Sequence, residues 1–404
     1  MVRYSAEKLI KTRQGELSVA TKPINLSSPQ KEDHTAIVNS HNDWDSLQEV
    51  IVGRVQGASV PQLEANIKVD SPPQYWDFFQ QYQGQPFPDE WLKAATQELD
   101  EFCHVLQQEG ITVRRPDLVD FSQPYQTPDF RASGLYAAMP RDLLIVIGNE
   151  IIEAPLAWRS RFFEYRAYRS LIKEYFQQGA KWTTVPKPLM SDELYDFEFA
   201  AKTPEEQEAL VKQGKFVTTE FEPCFDAADI VRLGRDLFVQ RSHVTNKLGI
   251  TWLARHLDSE YRVHLIDFAD FNPMHIDASL VPLRPGLALI NPDRPPLPDS
   301  AKIFTQAGWD LIEAAPPTTP DSWPLPIASK WVSMNLLSLD TKRVIVEKQE
   351  EATQKLLKDL GFTVIPVNFR HFYTFGGSFH CATCDLRRDS QLEDYGFSDA
   401  HSSR

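Results

Sequence analysis

Leu143-Leu144-Ile145-Val146-Ile147 is followed by Tyr165, Tyr168, Ile172, Tyr175 and Phe176 at helical spacing, then by Gly179 and Lys181-Trp182-Thr183-Thr184-Val185-Pro186. Read together, these residues predict a strand, an amphipathic helix on one apolar face, a glycine stop and a second strand. The chain returns to this pattern five times, the copies beginning at Val50-Ile51-Val52, Leu143–Ile147, Leu237-Phe238-Val239, Leu287-Ala288-Leu289-Ile290 and Val344-Ile345-Val346. In the first copy Leu92, Ala95, Leu99, Phe102 and Leu106 line a helix stopped by Gly110, and Ile111-Thr112-Val113 follows. The third runs through Leu248, Trp252 and Leu253 to Tyr261–Ile266. The fourth takes Ser300 as helix cap before Ile303, Phe304 and Gly308, and the fifth carries Ala352, Leu356, Leu357 and Leu360 before Gly361. One helix cannot cover both faces of a sheet, so neighbouring units must stack, and five can close around an axis. A doubly wound open sheet also alternates strand and helix, but neither GxGxxG nor GxxxxGK[ST] occurs to support it.

The 404 residues are 42% apolar and 24% charged, which describes a folded soluble chain rather than a disordered one. A formal net charge of −14 argues against general attraction to nucleic acid or anionic lipid and favours cationic small molecules. No apolar run is long enough to span a bilayer, and four cysteines without a signal-like stretch point to a reducing compartment. Residues 1–35 mix Arg3, Lys8, Lys11 and Arg13 with Glu7, Glu16, Glu32 and Asp33, which reads as a flexible tail; a single domain is expected over 36–404.

Three segments recur at matching points of the repeat: Glu222-Pro223-Cys224-Phe225-Asp226-Ala227-Ala228-Asp229, Asn272-Pro273-Met274-His275-Ile276-Asp277 and Gly376-Gly377-Ser378-Phe379-His380-Cys381. Radial closure would gather their Asp, His and Cys, the material of thiol catalysis. His275 and Asp277 share a side if the segment is extended. Asp229 reads more simply as a turn residue, and Cys103 and Cys224 as packing. Cys381 and Cys384 form a CxxC, but a zinc site needs partners that a second CxxC or a paired histidine motif would supply, and neither exists. The glycine pair before Cys381 favours chemistry over an inert buried thiol.

These segments resemble the arginine:glycine amidinotransferase family, of the guanidino-group-modifying (pentein) superfamily, from about Asn39 to Tyr395. The resemblance rests on Pro140-Arg141-Asp142, Gly148-Asn149-Glu150-Ile151-Ile152-Glu153-Ala154-Pro155, Phe225–Asp229, Asn272–Ala278, Asn291-Pro292-Asp293-Arg294-Pro295, Ser329-Lys330-Trp331 and Gly377–Asp385. It implies an α/β fold, a five-bladed α/β propeller with pseudo-fivefold repeats, and transfer of the amidino group of L-arginine to glycine or another amine. By the same resemblance Cys381 matches the nucleophile, His275 the general acid/base and Asp226 the carboxylate orienting it. Asp142 and Asp277 match the guanidinium-binding carboxylates, and Arg294 and Ser329 the groups holding the α-carboxylate. Asn272 and Met274 stand in the loop that helps select the acceptor and look like the glycine-using type. No metal or organic cofactor and no nucleic-acid or membrane partner is implied; a homodimer is. Ala382 departs from the Trp often found after the nucleophile, and residues 1–35 lack the presequence of mitochondrial members, so a cytoplasmic protein is expected. A hydrolase of the same fold and a non-catalytic propeller are the other readings.

Overall fold

A computed structural model describes residues 36–318, 324–325 and 327–397; the expected tail at 1–35 lies outside them. Among the described residues five three-stranded sheets repeat one topology: the central strand pairs antiparallel with the first and parallel with the third. The central strands are Ser46–Val52, Glu150–Glu153, Asp236–Gln240, Leu287–Ile290 and Arg343–Glu347. Each leads through a helix to its third strand, because a parallel neighbour needs a crossover. Those helices include Asp89–Gln108, Arg169–Gln177, Lys247–His256, Pro298–Gln306 and Glu351–Asp359. Leu99, Phe102 and Leu106 are fully buried on the first, as the spacing predicts. Gly110 and Gly361, just past two of these helices, have φ of 85° and 89°, where a side chain would be strained.

The sheets close in a ring because the C-terminal strand Thr383–Asp389 completes the first blade, pairing Val50 with Asp385 and Val52 with Thr383. This is the five-bladed α/β propeller. The second copy is out of phase with the sequence reading: Leu144–Ile147 is the first strand of its blade, and the central strand is Glu150–Glu153. Phe176 is not on the buried helical face but is 57% exposed. Ser300 lies inside its helix, with Leu297 at the cap position; the Ser300 hydroxyl accepts the Asp267 N–H at 3.0 Å.

A buried ion network joins the first strands of two blades, Thr383–Asp389 and Ile230–Leu233, to the turn that precedes a third, Pro140–Leu143. Asp385 accepts from Arg141 at 2.8 Å, Arg232 at 3.0 Å and Arg388 at 2.8 Å, and Arg232 also reaches Asp43. Removing one partner from such a network leaves charge uncompensated in low dielectric. Asp385→Asn should therefore destabilise the protein by about 3–5 kcal/mol, measured as a shift in the urea midpoint. A loss under about 1 kcal/mol would show that the network is not needed for closure.

Candidate active site

The turns entering the first strands of the blades supply the site. Asp142 precedes Leu144–Ile147, Asp226 precedes Ile230–Leu233, Asp277 precedes Leu280–Arg284, Asn335 precedes Leu337–Ser338 and Cys381 precedes Thr383–Asp389. Fivefold closure brings these turns together, and a cavity of about 530 Å³ is lined by Asp142, His275, Asp277, Arg294, Ser329 and Cys381, with Asn272 and Met274 also in its wall. Asp226 stands behind His275 in the buried interior.

Cys381 is held in place by its own turn and by Asn335. Its N–H donates to Asn335 Oδ1 at 3.0 Å, while Asn335 Nδ2 donates to Cys381 Sγ at 3.1 Å and to Asp277 Oδ2 at 2.7 Å. Gly377 makes the placement possible: a Cβ there would lie 2.7 Å from Cys381 Cβ and 3.0 Å from its sulfur. Burial pushes the Cys381 thiol well above its ordinary range, and the charges of Asp277 and Asp142 push it the same way. Cys384 is a separate buried thiol directed at the Leu144 carbonyl, 3.5 Å away, and both cysteines are free.

His275 reaches the cavity by strained backbone, with φ of 56°, and Ile276–Ala278 forms a short 3₁₀ turn. The extended segment expected from the sequence is absent, and His275 and Asp277 enter the cavity without alternation. His275 Nε2 lies 3.0 Å from Asp226 Oδ2, which also accepts Trp158 Nε1–H at 2.8 Å; His275 Nδ1 lies 3.8 Å from Asp142 Oδ1. Burial alone would lower the His275 pKa, but Asp142, Asp226 and Asp229 outweigh it and hold the imidazole well above its ordinary value.

Asp142 Oδ2 accepts from Arg161 at 2.7 Å, and Arg161 is gripped in turn by Glu164. Asp142 Oδ1 and Asp226 Oδ1 are buried without a hydrogen-bond partner. Burial raises the Asp142 carboxyl, against the His275 and Arg161 charges. Burial also acts to raise Asp277, but the hydrogen bond and charge of His380, 2.9 Å away, keep it below the usual range. Asp142, Asp226 and His275 offer atoms within 4.8 Å of one another, a spacing that a cation could use. With Arg161 on the other oxygen, the orphaned Oδ1 of Asp142, which lines the cavity, suits an N–H donor of a planar organic cation.

At the other end Arg294 donates to Asp270 at 3.1 Å and to the Ala278 carbonyl at 3.1 Å, and its Nη2 lies 3.5 Å from Ser329 Oγ. Asn272 turns its amide to the Val69 carbonyl at 3.1 Å, tying the loop to the helix Ala65–Asp70. Asp229 lies in the short 3₁₀ turn Ala227–Asp229, as expected of a turn residue, but its side chain is buried, accepts from Ser242 at 2.6 Å and Thr245 at 2.5 Å, and burial raises its carboxyl to about 7. The sequence reading missed Asn335, Trp158, Arg161 and His380. Asn335 had a signal, since it occupies the remaining repeat's equivalent of the other turns.

No family model matches the chain. It is 53% identical over 382 residues to the mitochondrial glycine amidinotransferase of Xenopus tropicalis, covering 94% of this chain and 90% of that one. It is 50% identical over 361 residues to the L-arginine:L-lysine amidinotransferase of Pseudomonas savastanoi pv. phaseolicola, covering 89% and 97%. Among solved structures, SxtG, an amidinotransferase from Microseira wollei in the saxitoxin biosynthetic pathway, superposes with a TM-score of 0.81 at 49% identity, covering 89% of this chain and 99% of that one. The expected cytoplasmic location is overturned, because the vertebrate relatives at 52–54% identity are mitochondrial enzymes. That expectation rested only on acids interrupting the basic residues of 1–35, a cue of composition with no contact behind it. Identity above half along nearly the whole length, on the same propeller, settles the family: the chain belongs to the glycine amidinotransferases.

Proposed function

We propose that this amidinotransferase moves the amidino group of L-arginine to glycine through an amidino-Cys381 intermediate, releasing L-ornithine and then guanidinoacetate. The observation that carries the reading is the convergence in one cavity of Cys381, His275 backed by the buried Asp226, and an Asp142 oxygen without a protein donor. Asp142 and Asp277 receive the guanidinium, and Arg294 with Ser329 receives the substrate carboxylate. The arriving cation offsets the charges that hold Cys381 as a thiol, so nucleophile and substrate activate together. The Cys381 proton passes to the nitrogen that becomes the ornithine amine as the sulfur forms a C–S bond to the central carbon, and His275 gives that nitrogen its second proton as the C–N bond breaks, so ornithine leaves as an ammonium.

In the second half the acceptor ammonium gives one proton to His275, and its lone pair bonds to the amidino carbon. As the C–S bond breaks, its electron pair returns to sulfur, and the acceptor's second proton restores the thiol. One carboxylate anchor used in turn by both amino acids gives ping-pong kinetics.

A second acceptor is the reading to weigh, because a lysine-using relative is 50% identical and the cavity is larger than glycine requires. With arginine as donor, glycine should outperform lysine, canavanine and hydroxylamine in turnover, with guanidinoacetate formed and no matching ammonia. Equal turnover with lysine would overturn the choice of glycine, and ammonia with citrulline in the absence of any amine would make the protein a hydrolase.

A further inference from the structure

Five aspartates line the cavity: Asp70, Asp142, Asp270, Asp277 and Asp293. Four have protein partners: Asp142 pairs with Arg161, Asp270 with Arg294, Asp277 with His380 and Asn335, and Asp293 with Lys330 and Trp331. Asp70 alone makes no hydrogen bond or ion pair with a described residue. It is nevertheless held firmly. It ends the helix Ala65–Asp70, whose Asn66 amide donates to Thr218 Oγ1 and the His243 carbonyl, both at 3.2 Å. At the other end Ser71 Oγ donates to the Ile67 carbonyl at 2.6 Å, and Asn272 donates to the Val69 carbonyl.

This placement is locally unfavourable. A carboxylate at the C-terminal end of a helix faces the negative end of the backbone dipole. Burial also pushes its carboxyl up to about 7, with Asp142 and Asp226 adding to the rise and the His275 and Arg161 charges opposing it. A half-buried carboxylate on an anchored backbone, facing the cavity without a cation of its own, is a site waiting for one from the ligand.

We propose that Asp70 is the binding residue for the ammonium group of the incoming amine acceptor, holding it beside His275 until its proton is taken. The assignment rests on the amidinotransfer reading and adds to it the charge state in which the second substrate is recognised. The donor brings its own guanidinium to Asp142 and Asp277, so Asp70 acts on the second half-reaction. It favours acceptors that enter as cations over neutral amines, and the Asn272–Val69 hydrogen bond makes the acceptor loop and Asp70 one unit.

The half-reactions can be read separately in Asp70→Asn. Arginine alone loads Cys381, followed by peptide mass after an acid quench, and the loaded protein is then discharged by glycine or by hydroxylamine, which is largely uncharged at neutral pH. Loss of one charge-assisted contact should slow discharge by glycine about tenfold or more. Loading by arginine and discharge by hydroxylamine should each change by less than about threefold, and Asp70→Glu should recover part of the glycine rate. Loading is also the check that the variant is folded at its site. Equal slowing with glycine and hydroxylamine, an unchanged glycine rate, or an Asp70→Asn protein that cannot be loaded would each overturn the role of Asp70. A wild-type protein that arginine does not load would instead sink the amidinotransfer reading, and this inference with it.

Discussion

Arginine without an acceptor should convert Cys381, and no other cysteine, into its amidino adduct, and Cys381→Ala should abolish both adduct and turnover. The selectivity follows from the surroundings of each thiol. Cys103 lies on a helix face with Arg115 at 3.1 Å, Cys224 is fully buried, and Cys384 points to a backbone carbonyl, whereas Cys381 faces the cavity. With no cation bound, burial and the neighbouring aspartates keep Cys381 protonated, so a neutral alkylating reagent should modify it with a pH profile displaced upward from that of ordinary cysteine. Guanidinium binding supplies the missing positive charge at the moment it supplies the electrophile. Removing a nucleophile that acts as one unit with its base lowers kcat by something on the order of 10⁶, the scale seen when such a group is deleted. His275→Asn should slow loading, because ornithine would leave without its proton. Mass mapping of quenched protein decides the matter: an adduct on Cys384, or turnover surviving Cys381→Ala, would refute the mechanism.

How much of this was legible in the sequence depended on whether a residue's role was local. The helix faces and their glycine stops are local, and they predict the repeat that closes the propeller. The phase of the second copy was lost because its central strand carries Glu150 and Glu153. Those carboxylates are buried only because Thr183, Lys181, His256, Trp182 and Arg169 meet them from elsewhere. The closing strand, Thr383–Asp389, was hidden in the same way: Asp385 and Arg388 look like surface charge until the axial network pairs them. Ser300 has the chemistry of a cap but sits inside the helix, since Pro298 fixes the first helical position two residues earlier.

Within the site, the resemblance pointed to Cys381, His275, Asp142 and Asp277 in the cavity wall but not to the residues that hold them. Trp158, Arg161 and His380 act through partners 68, 19 and 103 positions away in the chain, and no spacing rule reaches that far. Asn335 was within reach of the repeat argument. Three turns are recognised at matching points of the repeat and a fourth, at Asp142, by the resemblance; the remaining one carries an amide that bonds both Cys381 and Asp277.

Asp226→Asn should leave the fold intact and lower kcat by about 10³–10⁴, the loss expected when the carboxylate behind a catalytic imidazole becomes an amide. Asp226 is fully buried, and its Oδ2 is shared by His275 Nε2 and Trp158 Nε1, so a side chain of the same shape fits without rearrangement. Because one oxygen takes both contacts, an asparagine that keeps its oxygen there retains the two hydrogen bonds but not the charge, whereas the flipped amide sets N–H donors against both Trp158 and His275. The imidazolium formed during transfer also loses the buried charge facing it. The pH profile separates this role from simple damage. The His275 pKa is raised because Asp142 and Asp226 outweigh burial, and in the proposed mechanism the acid that protonates ornithine is the charged ring. Activity in the loading step is therefore present below that raised pKa and lost as pH rises through it. Deleting the Asp226 charge lowers the His275 pKa, so the alkaline limb of the loading rate should move to lower pH while the KM for arginine changes little. A folded Asp226→Asn protein with near-normal turnover, or with reduced turnover and an unmoved alkaline limb, would show that Asp226 does not set the state of His275.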